Sequence, residues 1–219
     1  HDALPIWGND ATVTKNPSKK MILVFDTETN GKALNFKAPV NDLNNWPRVV
    51  QLAWAVYKED GSQVRGGKHL IKPDGWLIPQ DVVEVHGITF EQAMEEGLPA
   101  SEVISKFIYD YEACHTLVAH NIAFDYPTLL CEFIRYGLRA KKRITNKVCT
   151  MQASTDYCKI PGPYGYKWPK LIELHQKLFN EGFDGAHDAM NDVLACGRAY
   201  FELCRIGVIK PPLIAENVM

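Results

Sequence analysis

The sequence predicts an α/β domain, a five-stranded mixed β-sheet flanked by α-helices. Three observations lead to it. Three strand-like segments come first; two shorter strands then alternate with helical segments; and no repeat, low-complexity tract or long linker divides the 219 residues. That length suits one domain with a substantial core.

Residues 1–19 mix Pro, Asn, Lys and Thr without periodicity and read as an extended N-terminal arm. The domain is placed at 20–206 and a C-terminal tail at 207–219. Lys20 to Asp26 is an apolar run that ends abruptly in polar residues, as a buried strand does. Asn30-Gly31 signals a turn, and a loop containing Pro39 and Pro47 spans 32–47. Val49 to Tyr57 and Val64 to Ile71 read as strands joined through Glu59-Asp60-Gly61, a hairpin cue. Short helices are expected at 80–86 and 89–96, the second capped by Thr89 with Glu91 and Gln92 in its first turn. Ser101 is read as the cap of a helix running to about Cys114. Thr116 to Ala119 is a short strand, followed by a helix over 122–136 that ends at Gly137. Asn146 to Thr150 is another short strand and 151–158 another helix. A Pro-, Gly- and Tyr-rich loop over 159–168 leads to a helix at 169–179, and the last helix covers 189–205, stopping near Gly207 with Pro211-Pro212 beyond.

Composition narrows the function classes. A hydrophobic fraction of 46% and a charged fraction of 23% are ordinary for a soluble globular chain. The longest apolar runs, Met21 to Phe25 and Val49 to Tyr57, are far too short for a bilayer. A formal net charge of −2 argues against a broad basic surface coating duplex non-specifically. It leaves open an enzyme that grips a few phosphates through bound cations. The run Lys141-Lys142-Arg143 reads as a solvated turn rather than a phosphate contact. Six cysteines without a Cys-x-x-Cys pair sit mostly among apolar neighbours, as core residues in a reducing compartment do. With no secretory signal ahead of the first strand, a cytoplasmic location is expected.

Three segments carry chemistry. In Ile22-Leu23-Val24-Phe25-Asp26-Thr27-Glu28-Thr29, alternate strand residues face one side, so Asp26 and Glu28 project together. Carboxylates this close repel unless a cation lies between them, and hard divalent ions want such oxygen ligands. A solvated acidic turn is the other reading of this pair taken alone. In Leu117 to Asp125, a short strand delivers the chain to His120-Asn121, with Asp125 four residues beyond Asn121. On a helix those two share a face, so Asn121 would orient Asp125 or a nearby backbone group; alternatively Asn121 caps the helix and Asp125 complements its positive start. In Ala186-His187-Asp188-Ala189-Met190-Asn191-Asp192, a five-residue separation turns a helix by about 140°. His187 and Asp192 therefore meet one site only if His187 precedes the helix. Asp188 is a natural N-cap for that arrangement, and Gly185 keeps the preceding loop adaptable. A histidine beside a metal-holding acid is a credible base, because its pKa lies near working pH.

Taken in order, these segments resemble the DEDDh exonucleases. Asp26-Thr27-Glu28-Thr29 resembles the first motif of the DEDD superfamily, His120-Asn121-x-x-Phe124-Asp125 the second, and His187-x-Ala189-x-x-Asp192 the third, in the histidine form. Val85-His86-Gly87-Ile88-Thr89 resembles the HGIT turn common in that branch, and Trp168-Pro169-Lys170-Leu171 lies near the helix preceding the third motif. The likeness covers about residues 20–206 and is nearest to the epsilon proofreading subunits of bacterial replicative polymerases and stand-alone exonucleases like them.

The resemblance implies a ribonuclease H-like fold and stepwise release of 5′-mononucleotides from a 3′ end, using two Mg²⁺ or Mn²⁺ ions. It implies that Asp26 bridges both ions, that Glu28 and Asp192 hold the one binding the attacking water, and that Asp125 serves the second. His187 would take the proton from that water. Thr29, Asn30, His86 and Asn121 are the implied substrate contacts. Tyr164 and Tyr166 are read as packing on the domain rather than stacking a base, and the loop at 32–47 is long beside compact relatives. The implied partner is a nucleic-acid 3′ end, with single-stranded or frayed DNA slightly favoured over RNA; a polymerase or a replication or repair protein is a further expected partner, and a membrane is not. Two alternatives stand beside this: a catalytically silent module of the same fold, and an RNA-processing exonuclease akin to ribonuclease T or oligoribonuclease.

Overall fold

A computed structural model describes residues 20–186 and 188–210. The expected arm at 1–19, residues 211–219 of the expected tail and His187 lie outside the described residues.

Strand β1 (Met21–Thr29) is followed by β2 (Val49–Lys58) and β3 (Gln63–Leu70). Then come α1 (Gln80–His86), α2 (Phe90–Glu96), α3 (Ala100–Ala113), β4 (Thr116–Ala119), α4 (Ile122–Arg135) and β5 (Asn146–Cys149). The chain continues through α5 (Thr150–Ala153), α6 (Thr155–Cys158), β6 (Pro161–Gly162), β7 (Gly165–Tyr166), α7 (Leu171–Phe179) and α8 (Ala189–Arg205). The main sheet has the order β3-β2-β1-β4-β5. β1 pairs antiparallel with β2 and parallel with β4, so the sheet is mixed and β1 lies at its centre.

The strand alternation sorts the core into two layers. Leu23 and Phe25 of β1, with Leu52, Trp54 and Val56 of β2, pack under α3 and α4 against Phe107 and Leu129. Their neighbours Ile22, Val24, Ala53 and Ala55 face the opposite way, against Val193, Cys196 and Leu203 of α8. The small residues on this second face let α8 lie close to the sheet. At Gly197 the approach is close: a Cβ there would sit 2.9 Å from the Tyr57 hydroxyl oxygen. Among the described residues no helix is long and apolar enough to cross a membrane.

Several expected boundaries shift for identifiable reasons. β1 runs on to Thr29 because its antiparallel ladder with β2 continues through Glu28↔Gln51 to Thr29↔Val49, so both acids lie inside the strand. Ser101 does not cap α3. The N-cap is Pro99, whose missing N–H costs nothing at a helix start, and Ser101 falls in the first turn. The expected helix over 151–158 is two short pieces separated at Ser154, whose hydroxyl donates to the Thr150 carbonyl at 2.7 Å. Helix α7 starts at Leu171, two residues later than expected. Within the loop at 159–168 a small ribbon, β6-β7, leaves Tyr164 and Tyr166 exposed, against the expectation that they pack on the domain. The loop at 32–47 is anchored by Trp46, buried near Cys131, and by Arg135, which donates to the Trp46 carbonyl at 2.6 Å.

Candidate active site

The central position of β1 puts Asp26 and Glu28 on the α8 face of the sheet. There they meet Asp192, in the first turn of α8, and oxygens of the three carboxyl groups lie within 4.8 Å of one another. Asp125 comes from the other face. It is buried in the first turn of α4, on the side that Thr27 faces, and the Thr27 hydroxyl donates to its Oδ1 at 2.7 Å. The four acids thus converge on β1 from both faces, and a cleft of about 490 Å³ is lined by Asp26, Glu28, Asp125 and Asp192 together with Asn121 and Phe124.

Electrostatics records the cost of this gathering. Burial, followed by repulsion from Asp125, Glu28 and Asp192, holds the Asp26 carboxyl well above its ordinary range. Burial and the charges of Asp192, Asp125 and Asp188 push Glu28 up to about 8. Asp125 rises to about 7 through burial, against the pull of its hydrogen bond from Thr27. Oxygen-only ligands that repel one another fit a hard divalent cation, which would offset the repulsion that raises these groups.

The start of α8 is fixed at several points. The Asp188 carboxylate accepts from the Met190 and Asn191 backbone N–H groups at 3.1 and 3.3 Å, the N-cap the sequence indicates. Lys68 of β3 forms an ion pair with the same carboxylate. The side-chain carbonyl of Gln51, the residue paired with Glu28 across the β1–β2 ladder, accepts from the Ala189 N–H at 3.0 Å. Ahead of the helix, Gly185 holds φ +69°, where a Cβ would meet the Asn191 side-chain amide at 2.3 Å. That left-handed conformation is one glycine adopts without strain.

Other expected site residues occupy varied positions. Asn121 sits just before α4, and its backbone carbonyl accepts from the Phe124 and Asp125 N–H groups at 2.8 and 3.2 Å; its side chain makes no cap. Asn121 therefore holds Asp125 through the backbone rather than across a helical face. The Asn30 side chain is engaged by the fold, donating to the Leu77 carbonyl at 3.0 Å and accepting from the Arg48 N–H at 2.8 Å. The Thr29 hydroxyl donates to the Gly31 carbonyl at 2.8 Å. His86 closes α1, its Nδ1 accepts from the Ile88 N–H at 3.1 Å, and it lines a second cavity of about 590 Å³ with Gln51, Lys68 and Asp188.

Sequence reasoning missed Thr27, Gln51 and Lys68. Thr27 carried one usable signal, its place between two acids on a strand. His120 also proves to be a structural tie. Its Nε2 lies 3.0 Å from the Pro169 carbonyl, which can only accept, so Nε2 carries the proton and Nδ1 accepts from the Thr150 hydroxyl at 2.9 Å. Burial lowers this imidazole to about 4, which keeps it neutral.

The chain matches the RNase T exonuclease family over residues 23–200. It is 24% identical to a PolC-type DNA polymerase III of Bacillus cereus over 229 residues, covering 91% of this chain and 14% of the polymerase. Among solved structures it resembles E. coli exonuclease I bound to a dT13 oligonucleotide, with a TM-score of 0.69 and 18% identity, covering 85% of this chain and 41% of that one. A zinc-ion-bound form of the E. coli exonuclease I–single-stranded DNA complex gives a TM-score of 0.69 at 17% identity, again over 85% of this chain and 41% of that one. The chain therefore spans less than half of exonuclease I and about a seventh of the polymerase. With its mixed five-stranded sheet flanked by helices, the chain belongs to the RNase T exonuclease family, as a DEDDh, DnaQ-like member of the ribonuclease H-like superfamily.

Proposed function

We propose that this chain is a metal-dependent 3′-to-5′ exonuclease that releases 5′-mononucleotides from nucleic-acid ends, with DNA as the slightly favoured substrate. The observation that carries the proposal is the convergence of Asp26, Glu28 and Asp192 within 4.8 Å, with Asp125 in the same cleft. Such a cluster is unfavourable as pure structure, since burial and the repulsion of neighbouring acids raise Asp26, Glu28 and Asp125 above their ordinary range.

In this reading Asp26, Glu28, Asp125 and Asp192 would hold two Mg²⁺ or Mn²⁺ ions. When bound, two such ions supply charge neutralisation at the phosphoryl group and activation of water at neutral pH. The rest of the chemistry belongs to the chain. Thr27 aims Asp125 by donating to Oδ1 and favours its ionised form against the rise that burial causes. Gln51, Lys68 and Asp188 fix the first turn of α8, and with it Asp192. His187 is assigned as general base, taking the proton of the attacking water. Thr29, Asn30, His86 and Asn121 are kept as substrate contacts in a limited sense. With the Asn30 side chain engaged, its contact would run through the strand-end backbone, and His86 would meet the substrate from the Gln51 side of the acids.

A polymerase or repair partner is proposed on the likeness to a segment of the PolC-type polymerase. The test of function is digestion of matched labelled DNA and RNA oligonucleotides, single-stranded and duplex, with Mg²⁺ or Mn²⁺ and an EDTA control. Release of 5′-mononucleotides from the 3′ end, abolished by EDTA, is expected. Metal binding by calorimetry without hydrolysis would assign the silent module instead, and faster digestion of RNA would move the substrate assignment.

A further inference from the structure

We infer that the β6-β7 ribbon and the segment leading into α7 form a stacking platform for single-stranded nucleic acid, continuing the substrate path out of the acidic cleft. The inference rests on the exonuclease reading above and specifies its substrate as unpaired strand.

Three aromatic rings crowd this short stretch and face solvent: Tyr164 is 102% exposed, Trp168 59% and Tyr166 50%. Rings of this size ordinarily bury large apolar areas, so three exposed within five residues contribute little to the core. Their setting is cationic. Residues 159–173 carry Lys159, Lys167 and Lys170 against one acid, Glu173, in a chain whose net charge is −2. Lys167 is paired with Glu173 at 2.6 Å, whereas Lys159 and Lys170 make no ion pair among the described residues. Aromatic faces for bases, interleaved with cations for phosphates, are what a single strand requires. A duplex keeps its bases stacked on one another and has no free face to offer an isolated ring.

The rings stand on a defined backbone. β6 and β7 pair Pro161 with Tyr166 and Gly162 with Gly165, and the Lys167 N–H donates to the Ile160 carbonyl at 2.9 Å. Gly165 holds φ +120°, a conformation that favours glycine in this tight turn, and a Cβ at Gly162 would crowd the Lys167 nitrogen at 3.1 Å.

Position supports the role. The Pro169 carbonyl accepts from His120 Nε2 at 3.0 Å, and Lys170, Leu171 and Ile172 form one wall of the cleft that holds Asp26, Glu28 and Asp192. Three residues span at most about 11 Å, so the Trp168 backbone lies within that distance of the cleft wall at Leu171.

The test uses the full chain in EDTA, with fluorescence anisotropy of labelled dT20, dT4 and a blunt 20-base-pair duplex. The proposal expects dT20 to bind more tightly than dT4. Tyr164→Ala combined with Trp168→Ala should weaken dT20 by roughly tenfold or more and remove most of its advantage over dT4. Tyr164→Phe with Trp168→Phe, which keeps the ring faces, should retain that advantage. An unchanged dT20 affinity in the double alanine variant overturns the platform, and so does an equal loss for dT4 or for the duplex. Because binding is read without metal, these outcomes are independent of whether the chain hydrolyses DNA, and failure of hydrolysis alone would strike only the exonuclease reading.

Discussion

The Thr27 hydroxyl donates a 2.7 Å hydrogen bond to Asp125 Oδ1, joining the strand that carries two of the acids to the helix that carries another. Asp125 is buried, and burial raises its pKa while this bond lowers it. Thr27→Val keeps the shape and removes the donor. Metal affinity measured by calorimetry is expected to fall at neutral pH, with a loss of about 1.5–3 kcal/mol, the usual worth of a hydrogen bond to a charged group. Full affinity in Thr27→Val would show that the bond does not govern the ionisation of Asp125.

The raised carboxyl groups make the metal-free protein sensitive to pH. Glu28 shifts from 4.5 in the unfolded chain to about 8, Asp125 from 3.8 to about 7, and Asp26 also rises. An acid whose pKa is higher in the folded state contributes its full stability below the unfolded value, and loses it as pH rises through the folded value. In EDTA, thermal stability should therefore fall between about pH 4 and pH 8, and Glu28→Gln should flatten the decline, gaining on the order of 2 kcal/mol at pH 8. Saturating Mg²⁺ should remove much of the difference. Thermal unfolding at several pH values decides it; a metal-free protein that gains stability towards pH 8 contradicts the arrangement.

Gln51 supplies the acceptor for the first N–H of α8 and lies opposite Glu28 in the sheet. Gln51→Leu strands that buried N–H, at a cost of about 1–3 kcal/mol in stability. If Gln51 also positions Asp192, kcat should fall while KM for a single-stranded oligonucleotide stays close to wild type. A change in stability with kcat intact would confine Gln51 to a structural role.

His187→Ala is expected to slow turnover by roughly 10²–10⁴-fold, the range for a lost general base, with metal affinity by calorimetry largely unchanged. The pH profile of kcat should also lose its imidazole limb. A large drop in metal affinity would make His187 a ligand.

Much of this was legible in the sequence where a single period governs. The two-residue repeat of β1 put Asp26 and Glu28 on one face, and Asp188 marked the start of α8 because an N-cap is a local device. The final helix and β4 fall on the expected residues for the same reason. What escaped depends on pairing across the fold. Thr27 matters only because α4 packs on its face of the sheet, and Gln51 only because β2 carries it alongside Glu28. Tyr164 and Tyr166 were expected to pack on the domain, since a Pro- and Gly-rich loop offers no period from which to read burial; the ribbon turns them outward instead. Ser101 had the chemistry of a cap, yet Pro99 set the start of α3 two residues earlier.

The central claim is that the acids gathered on β1 exist to hold divalent cations for hydrolysis. The most direct measurement compares wild type and Asp26→Asn by calorimetric Mn²⁺ titration and by release of 5′-mononucleotides from 3′-labelled single-stranded DNA, with thermal unfolding in EDTA as the folding control. The account predicts that Asp26→Asn unfolds at an equal or higher temperature than wild type in EDTA, binds Mn²⁺ far more weakly and releases almost no product. A folded Asp26→Asn protein that still degrades DNA at the wild-type rate would contradict it.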